Sequence, residues 1–313
     1  MVLDIFIKFF PIFFLLLIGF FLKKTEVLKE DMVVGLKKII VSAGLPAILF
    51  MSFLTMKVEA SYILLFAGTF IICNLLYVTG IILNKTGMCQ YPFSPFFFTG
   101  FEFGMVGVAL FTSLFGVENL HYILLIGLGH EFYIWFVYAP LLEAKNIGKV
   151  HFKKIIKSFF KSPIIIAILS ALFLNLSGIY SHIEYNPIIL GLLSSADILS
   201  GIVTPLILLI IGAQLNFKKI EWKSALHLIG VRLIVVGIFG TLLAFFTTRY
   251  VMDINQIMIY AFIIFFLLPP PFIITVFLGE KYKKENIFYN NLLVLYTPVT
   301  LIILMIVMFF IGA

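Results

Sequence analysis

The sequence predicts an all-α polytopic membrane protein of ten transmembrane helices. Three observations carry that fold class. First, 62% of the 313 residues are hydrophobic and 12% are charged, against roughly 45–50% and roughly 25% in an ordinary soluble domain. With a mean hydropathy of +1.16, this surface needs a bilayer as its solvent. Second, the apolar residues fall into ten runs, each near the about 20 residues that cross a hydrocarbon core. Third, the cations gather in the short loops between runs, as membrane orientation requires.

The first run spans about 3–22. Asp4 and Lys8 lie inside it and Lys23 and Lys24 follow it, whereas a cleavable leader carries its positive charges first. It therefore reads as a retained span. Runs at about 34–55, 60–83, 93–116 and 119–142 complete a set of five within 1–142. The segment 143–161, EAKNIGKVHFKKIIKSFFK, is basic and amphipathic and reads as a cytoplasmic linker lying at the membrane surface. Runs at about 162–180, 188–215, 223–248, 255–279 and 287–311 form a second set within 162–313.

Loops after odd-numbered runs, with the opening residues of the runs that follow them, hold 18 of the 22 Lys and Arg, the other four being Lys8, Lys57, Arg232 and Arg249. The positive-inside rule then predicts that these loops are cytoplasmic and both termini extracytoplasmic, in a multi-pass protein of the cell membrane. The same placement explains the net charge of +7 without nucleic acid. Cys73 lies in an apolar run and Cys89 in a loop, which argues against a disulfide.

The two sets echo one another. FFPIFFLLLIGF around Pro11 matches KSPIIIAILSALF around Pro163, AGLPAILF around Pro46 matches IVTPLILL around Pro205, and VYAPLL at Pro140 matches LYTPVT at Pro298. The offsets are 152, 159 and 158 residues. Repeats of five spans insert with opposite topology, and inverted repeats mark secondary transporters.

Two runs look broken, and they are the fourth of each set. SPFFFTGFEFGMVGVALF places Gly100, Gly104 and Gly107 around Glu102, and FFLLPPPFIITVF removes three successive backbone donors at Pro269, Pro270 and Pro271. Unwound backbone at membrane depth survives beside protein or water, so paired breaks point to a substrate site. The bland alternative is a proline kink plus a GxxxG contact through Gly100 and Gly104. On the site reading the substrate residues are Gly100, Phe101, Glu102, Gly104, Asn74, His130, Glu131, Pro269, Pro270 and Pro271, with Glu102 also the candidate coupling-ion residue. Asp197 and Arg232 stay open: Asp197 reads as near an outer surface, and Arg232 reads as snorkelling towards the cytoplasmic side. Asn175, Thr99, Thr204 and Gln214 read as helix–helix glue.

Enzyme motifs are lacking. GHEFYIW has the His-Glu of a zincin, but Ile134 stands where the second His belongs. No P-loop, GxSxG or CxxC occurs, and no cofactor or metal set is expected.

The layout resembles the auxin efflux carrier family, which includes plant PIN-type carriers and bacterial organic-anion permeases and belongs with the bile-acid-type transporters in a wider superfamily. The resemblance covers nearly the whole chain and rests on GLPAILF at Gly44–Phe50, SPIIIAILSALFLN at Ser162–Asn175, TPLILLIIGAQL at Thr204–Leu215, Arg232-Leu233-Ile234, and PPP with GEKYKKE after it. It implies a scaffold of spans 1, 2, 6 and 7 and a transport unit of spans 3–5 and 8–10. It also implies that broken spans 4 and 9 cross at the substrate, with elevator-like alternating access. The family's Asn-Thr-Gly-Phe-x-Gly-x-Pro signature corresponds here to residues 102–109, where Glu102 stands for the amide and Ala109 for the proline.

The leading functional expectation is a secondary carrier for a small organic anion such as a carboxylate, with protons as candidate coupling ion, membrane lipids as surroundings and a homodimer as one option for assembly. The alternatives are a carrier of a cationic or amine solute with Glu102 as counter-ion, and a membrane sensor or channel on the same fold.

Overall fold

The computed structural model describes residues 2–148, 150–215, 221–251, 254–278 and 282–311, and no strand occurs among the described residues. Among the described residues eight helical segments are long and apolar enough to cross a membrane, Ser94–Phe115 counted as one, and nine if one bent pair also counts as a span. In chain order the helices are α1 (Val2–Lys24), α2 (Glu30–Thr55), α3 (Tyr62–Lys85), α4 (Ser94–Phe98), α5 (103–115) and α6 (His121–Asn146). There follow α7 (Phe152–Lys161), α8 (Pro163–Leu176), α9 (Ile179–Ile183), α10 (Pro187–Gln214), α11 (Trp222–Tyr250), α12 (Gln256–Leu267), α13 (Ile273–Phe277) and α14 (Lys283–Ile311). The chain is a multi-pass membrane protein: Phe6, Phe10, Phe14, Leu17 and Phe21 of α1, and Ile234, Ile238, Leu242 and Phe245 of α11, form exposed apolar stripes at helical spacing.

Three of the ten predicted runs differ from continuous helices, each for a local reason; the fourth is divided into α4 and α5 at Gly100. The ninth is divided into α12 and α13 because the three prolines supply no N–H to continue α12. The sixth is shortened to the 14 residues of α8, which ends before Gly178 in the left-handed conformation, φ +71°. It reaches spanning length when paired with α7, bent from it by 63° at Ser162. The basic segment thus contains a separate helix, α7, with Ile155 and Phe159 buried and its four lysines exposed.

Proline also explains the irregular turns inside long helices. A proline removes one i→i−4 bond and crowds the carbonyl there. The helix widens into a π-turn at Ile40–Gly44 just before Leu45-Pro46, and at Ile134–Tyr138 just before Ala139-Pro140. In α10 the interruption falls at Ile202, three residues before Pro205.

Packing places the fourth segment at the centre. Of its best apolar window 78% is buried, against 22% for α1. α1 packs on the second half of α10 with backbone touching backbone. A Cβ on Gly19 would sit 2.0 Å from the Leu209 carbonyl oxygen, and one on Gly212 would sit 2.0 Å from that of Leu16. α8 packs on the second half of α2, where the Asn175 amide donates to the carbonyls of Phe53, Leu54 and Met56 at 2.9, 3.0 and 2.7 Å. These are oxygens that the end of a helix leaves without intrahelical donors. α3 packs on α6, and α12 packs on α6 and α11.

Candidate functional site: two interrupted segments that meet

α4 ends at Phe98, and the chain runs through extended Thr99 to Gly100 at φ +70°. Only glycine holds that conformation without strain. Packing makes the same demand, since a Cβ on Gly100 would lie 3.0 and 3.1 Å from Pro271 ring carbons and 3.2 Å from Ile134 Cδ1. Helix resumes at Phe103 as a π-turn. The second interruption, Leu268 to Phe272, lies against the first: the Glu102 N–H donates to the Pro269 carbonyl at 2.7 Å, and the Phe272 N–H donates to Glu102 Oε2 at 2.8 Å.

The breaks leave main-chain groups without helical partners, and buried groups of that kind require others. The Phe101 N–H donates to His130 Nε2 at 2.9 Å. Because Nε2 accepts, the ring proton sits on Nδ1, which lies 3.7 Å from Glu131 Oε1, beyond hydrogen-bond range. Arg232 donates through Nη1 to the Phe97 carbonyl and through Nη2 to that of Gly100 at 2.8 Å, and it reaches Leu268 O at 3.5 Å. Thr300 donates to the Leu267 carbonyl at 2.7 Å. The Tyr138 hydroxyl donates to Phe96 O at 3.3 Å, and Thr99 donates to Cys73 O at 2.6 Å with the Tyr133 hydroxyl 3.0 Å away. Phe101 packs on Phe265, Phe266 and His130, with ring centroids 4.8, 5.3 and 5.8 Å apart.

Glu102 is the acidic group at this junction. The Met105 backbone N–H also faces its carboxylate, and the charged side chains whose fields reach it are Lys37 and Glu131. Lys37 stands on α2, half-buried, with its ammonium 5.9 Å from the Phe272 ring. It borders a 610 Å³ cavity whose walls include Lys23, Lys24, Gln214, Phe272 and Thr297. A second cavity of 390 Å³ opens at the opposite end of α2, bounded by Thr55, Lys57, Glu118, His121 and Asp197. Both lie between α2 and α10 on one side and segments that follow α4 or α12 on the other.

Of the residues singled out from sequence, the structure gathers Gly100, Phe101, Glu102, His130, Pro269 and Pro271 at the junction. Pro270 is buried between the two bonded positions, and Glu131 flanks His130. Gly104 lies one turn on, open enough that an added Cβ would meet Leu45 alone, at 4.0 Å. Asn74 is not drawn in: its amide donates to the Phe70 carbonyl of its own helix at 2.8 Å. Asp197 is exposed beside the second cavity. Among the polar residues read as glue, Asn175 ties α8 to α2, and the Thr204 hydroxyl lies 2.7 Å from that of Thr112. Arg232 requires a correction, because it does not snorkel and has no exposed surface. Ten residues separate it from the start of α11 at Trp222, about 15 Å of helix, which exceeds the reach of an arginine. That distance was the signal in the sequence. Lys37 and Thr300 were missed because nothing local distinguishes a lysine or threonine near a helix break from one elsewhere.

No family model matches the chain, and no curated protein matches it in sequence.

Proposed function

We propose that the chain is a secondary carrier for a small organic anion such as a carboxylate, of the auxin efflux carrier type that its sequence resembles. The observation that carries the reading is the junction itself: two interrupted segments, about 165 residues apart in sequence, exchange hydrogen bonds around Glu102 deep in the bundle. Irregular backbone of this kind, lined by protein and approached by a cavity, is the setting in which transporters hold substrate. The cations Lys23, Lys24 and Lys37 around the larger cavity favour an anionic solute.

On this reading the chain has ten spans in two inverted five-helix repeats, with spans 4 and 9 crossing and both termini outside the cell membrane. The helix pairs agree with such a repeat. Exchanging spans 1 with 6 and 2 with 7 converts the α1–α10 contact into the α8–α2 contact, and both are extensive. Cavities at opposite ends of α2 suit alternating access by sliding of a transport unit against α1, α2, α8 and α10. Glu102 takes the proton that couples the flux: an ionised carboxylate at the junction opposes an anion, so it is protonated when anion binds and releases the proton in another state. A cationic solute with Glu102 as counter-ion is the second reading, favoured by that carboxylate alone.

The test is counterflow of labelled carboxylates in proteoliposomes, which a channel or sensor does not support. Glu102→Gln should retain exchange and lose the response to a pH gradient. Uphill uptake from a proton gradient by that variant would remove Glu102 as coupling residue. Binding of amines by the unaltered protein, lost in Glu102→Gln, would establish the cationic reading.

A further inference from the structure

Arg232 is a cation in the middle of an apolar 29-residue helix, with none of its surface exposed. Several kcal/mol oppose such a charge unless the surroundings neutralise it. Carboxylates do not do so here. The ion pairs among the described residues are Lys23–Glu30 and Lys57–Glu59, with imidazole–carboxylate contacts at His130–Glu131 and His151–Glu143, and none includes Arg232. The guanidinium instead faces the main-chain oxygens of Phe97, Gly100 and Leu268, and the ring faces of Phe97, Phe101 and Tyr296 at 5.6, 5.1 and 5.6 Å. Leu268 O belongs to the carboxyl-terminal end of the 12-residue α12, where carbonyls beyond the last intrahelical bond carry partial negative charge. Gly100 O belongs to unwound backbone.

Carbonyl oxygens from an unwound segment, combined with the carboxyl-terminal end of an interrupted helix, are the ligands with which carriers bind alkali cations. We propose that Arg232 is a tethered cation that fills a carbonyl-lined cation site at the junction of the interrupted segments. The protein therefore binds no metal cation there, and truncating Arg232 opens the site to a free one. For the carrier, the consequence is that sodium is not its coupling ion. That consequence rests on the proposed function; the occupancy of the site does not.

The experiment is thermal unfolding of purified protein in detergent, with choline chloride as reference salt. Unaltered protein should have the same Tm in sodium, potassium and choline chloride. Arg232→Ala should melt lower and be raised by low-millimolar guanidinium along a saturating curve, by about 3 °C at ten times the dissociation constant, where mass action gains an 11-fold folded ratio. Gly240→Ala is the control for non-specific effects, since its Cβ would meet the Phe266 ring at 2.7 Å and destabilise the fold without removing the guanidinium. Arg232→Lys keeps the charge and should be recovered folded and insensitive to guanidinium, whereas Arg232→Met keeps bulk and should be lost or rescued only by cation. If Arg232→Ala is not recovered folded, this Lys-against-Met pair decides. Stabilisation of the unaltered protein by sodium overturns the proposal. So does a folded Arg232→Ala that responds to guanidinium, sodium and potassium no more than Gly240→Ala, or an Arg232→Met as stable as Arg232→Lys. No arm needs a substrate, so failure of the carrier reading and failure of this one remain distinguishable.

Discussion

Gly100→Ala tests whether the break at α4 is required by backbone geometry. At φ +70° a side chain faces about 1–2 kcal/mol of left-handed strain. The new Cβ also meets two Pro271 ring carbons at 3.0 and 3.1 Å and Ile134 Cδ1 at 3.2 Å. The isoleucine can rotate away, but the proline ring is fixed in a run of three, so overpacking adds about 1–3 kcal/mol. Together these give about 2–5 kcal/mol, or a fall in Tm of about 4–10 °C at about 2 °C per kcal/mol for a chain of this size. Gly104→Ala supplies the comparison in the same segment. Its Cβ would meet one leucine methyl at 4.0 Å and its φ is not positive, so the gain from replacing a helical glycine leaves it level with or about 0.5–1 kcal/mol above the parent. The assay is thermal unfolding of the two variants side by side in one detergent. If Gly100→Ala melts within about 2 °C of Gly104→Ala, neither the positive φ nor the proline contact constrains the junction.

The α1–α10 contact makes a sharper demand: Gly19→Ala or Gly212→Ala would bring a Cβ to 2.0 Å from a facing carbonyl oxygen, so each should sharply lower the yield of folded protein. Gly191→Ala, with no atom within 4 Å of its Cβ, should not, as size-exclusion profiles would read. Topology is checked by labelling Val150→Cys with an impermeant maleimide, which should fail in intact cells and succeed after lysis; labelling from outside would reverse the proposed orientation. The native cysteines should stay silent, as both are buried and burial pushes the Cys89 thiol up.

What the sequence disclosed about this fold was what single residues do to their own turn. Pro269, Pro270 and Pro271 announce the second break because no proline donates, and Gly100 announces the first because no other residue sits at its φ without strain. Hydropathy alone located the long helices. It overran α8 by a few residues, since the run 177–180 still holds Ile179 and Tyr180 although Gly178 has already turned the chain. The partners of the break were less legible, because they are set by tertiary contact. Nothing near Thr300 in sequence points to the Leu267 carbonyl 33 residues away, and nothing near Arg232 points to Phe97, 135 residues away. Asn74 shows the converse case: mid-span position singled it out, and its amide donates to the Phe70 carbonyl of its own helix.

The hydrogen bonds at the break also bear on how a carrier of this design would move. The groups that satisfy the two interrupted segments come from α3 (Cys73 O), α6 (Tyr133, Tyr138 and His130), α11 (Arg232) and α14 (Thr300). Each is buried, so breaking one leaves a polar group unpaired at about 1–3 kcal/mol. Those helices are therefore tied to α4, α5, α12 and α13 as one body. The connection towards α1, α2, α8 and α10 is of another kind, and among the described residues it includes the Thr112–Thr204 hydroxyl pair at 2.7 Å, the Lys8–Phe115 and Lys37–Phe272 contacts at 5.9 Å each, the field of Lys37 at Glu102, and apolar packing. Hydroxyls that also bond their own helix, as Thr112 does to Val108 O, lose little when such a pair separates. Apolar faces slide without leaving donors unpaired. The weaker boundary in this bundle thus runs between the helices that hold the break and the helices that do not, and it is along that boundary that both cavities lie.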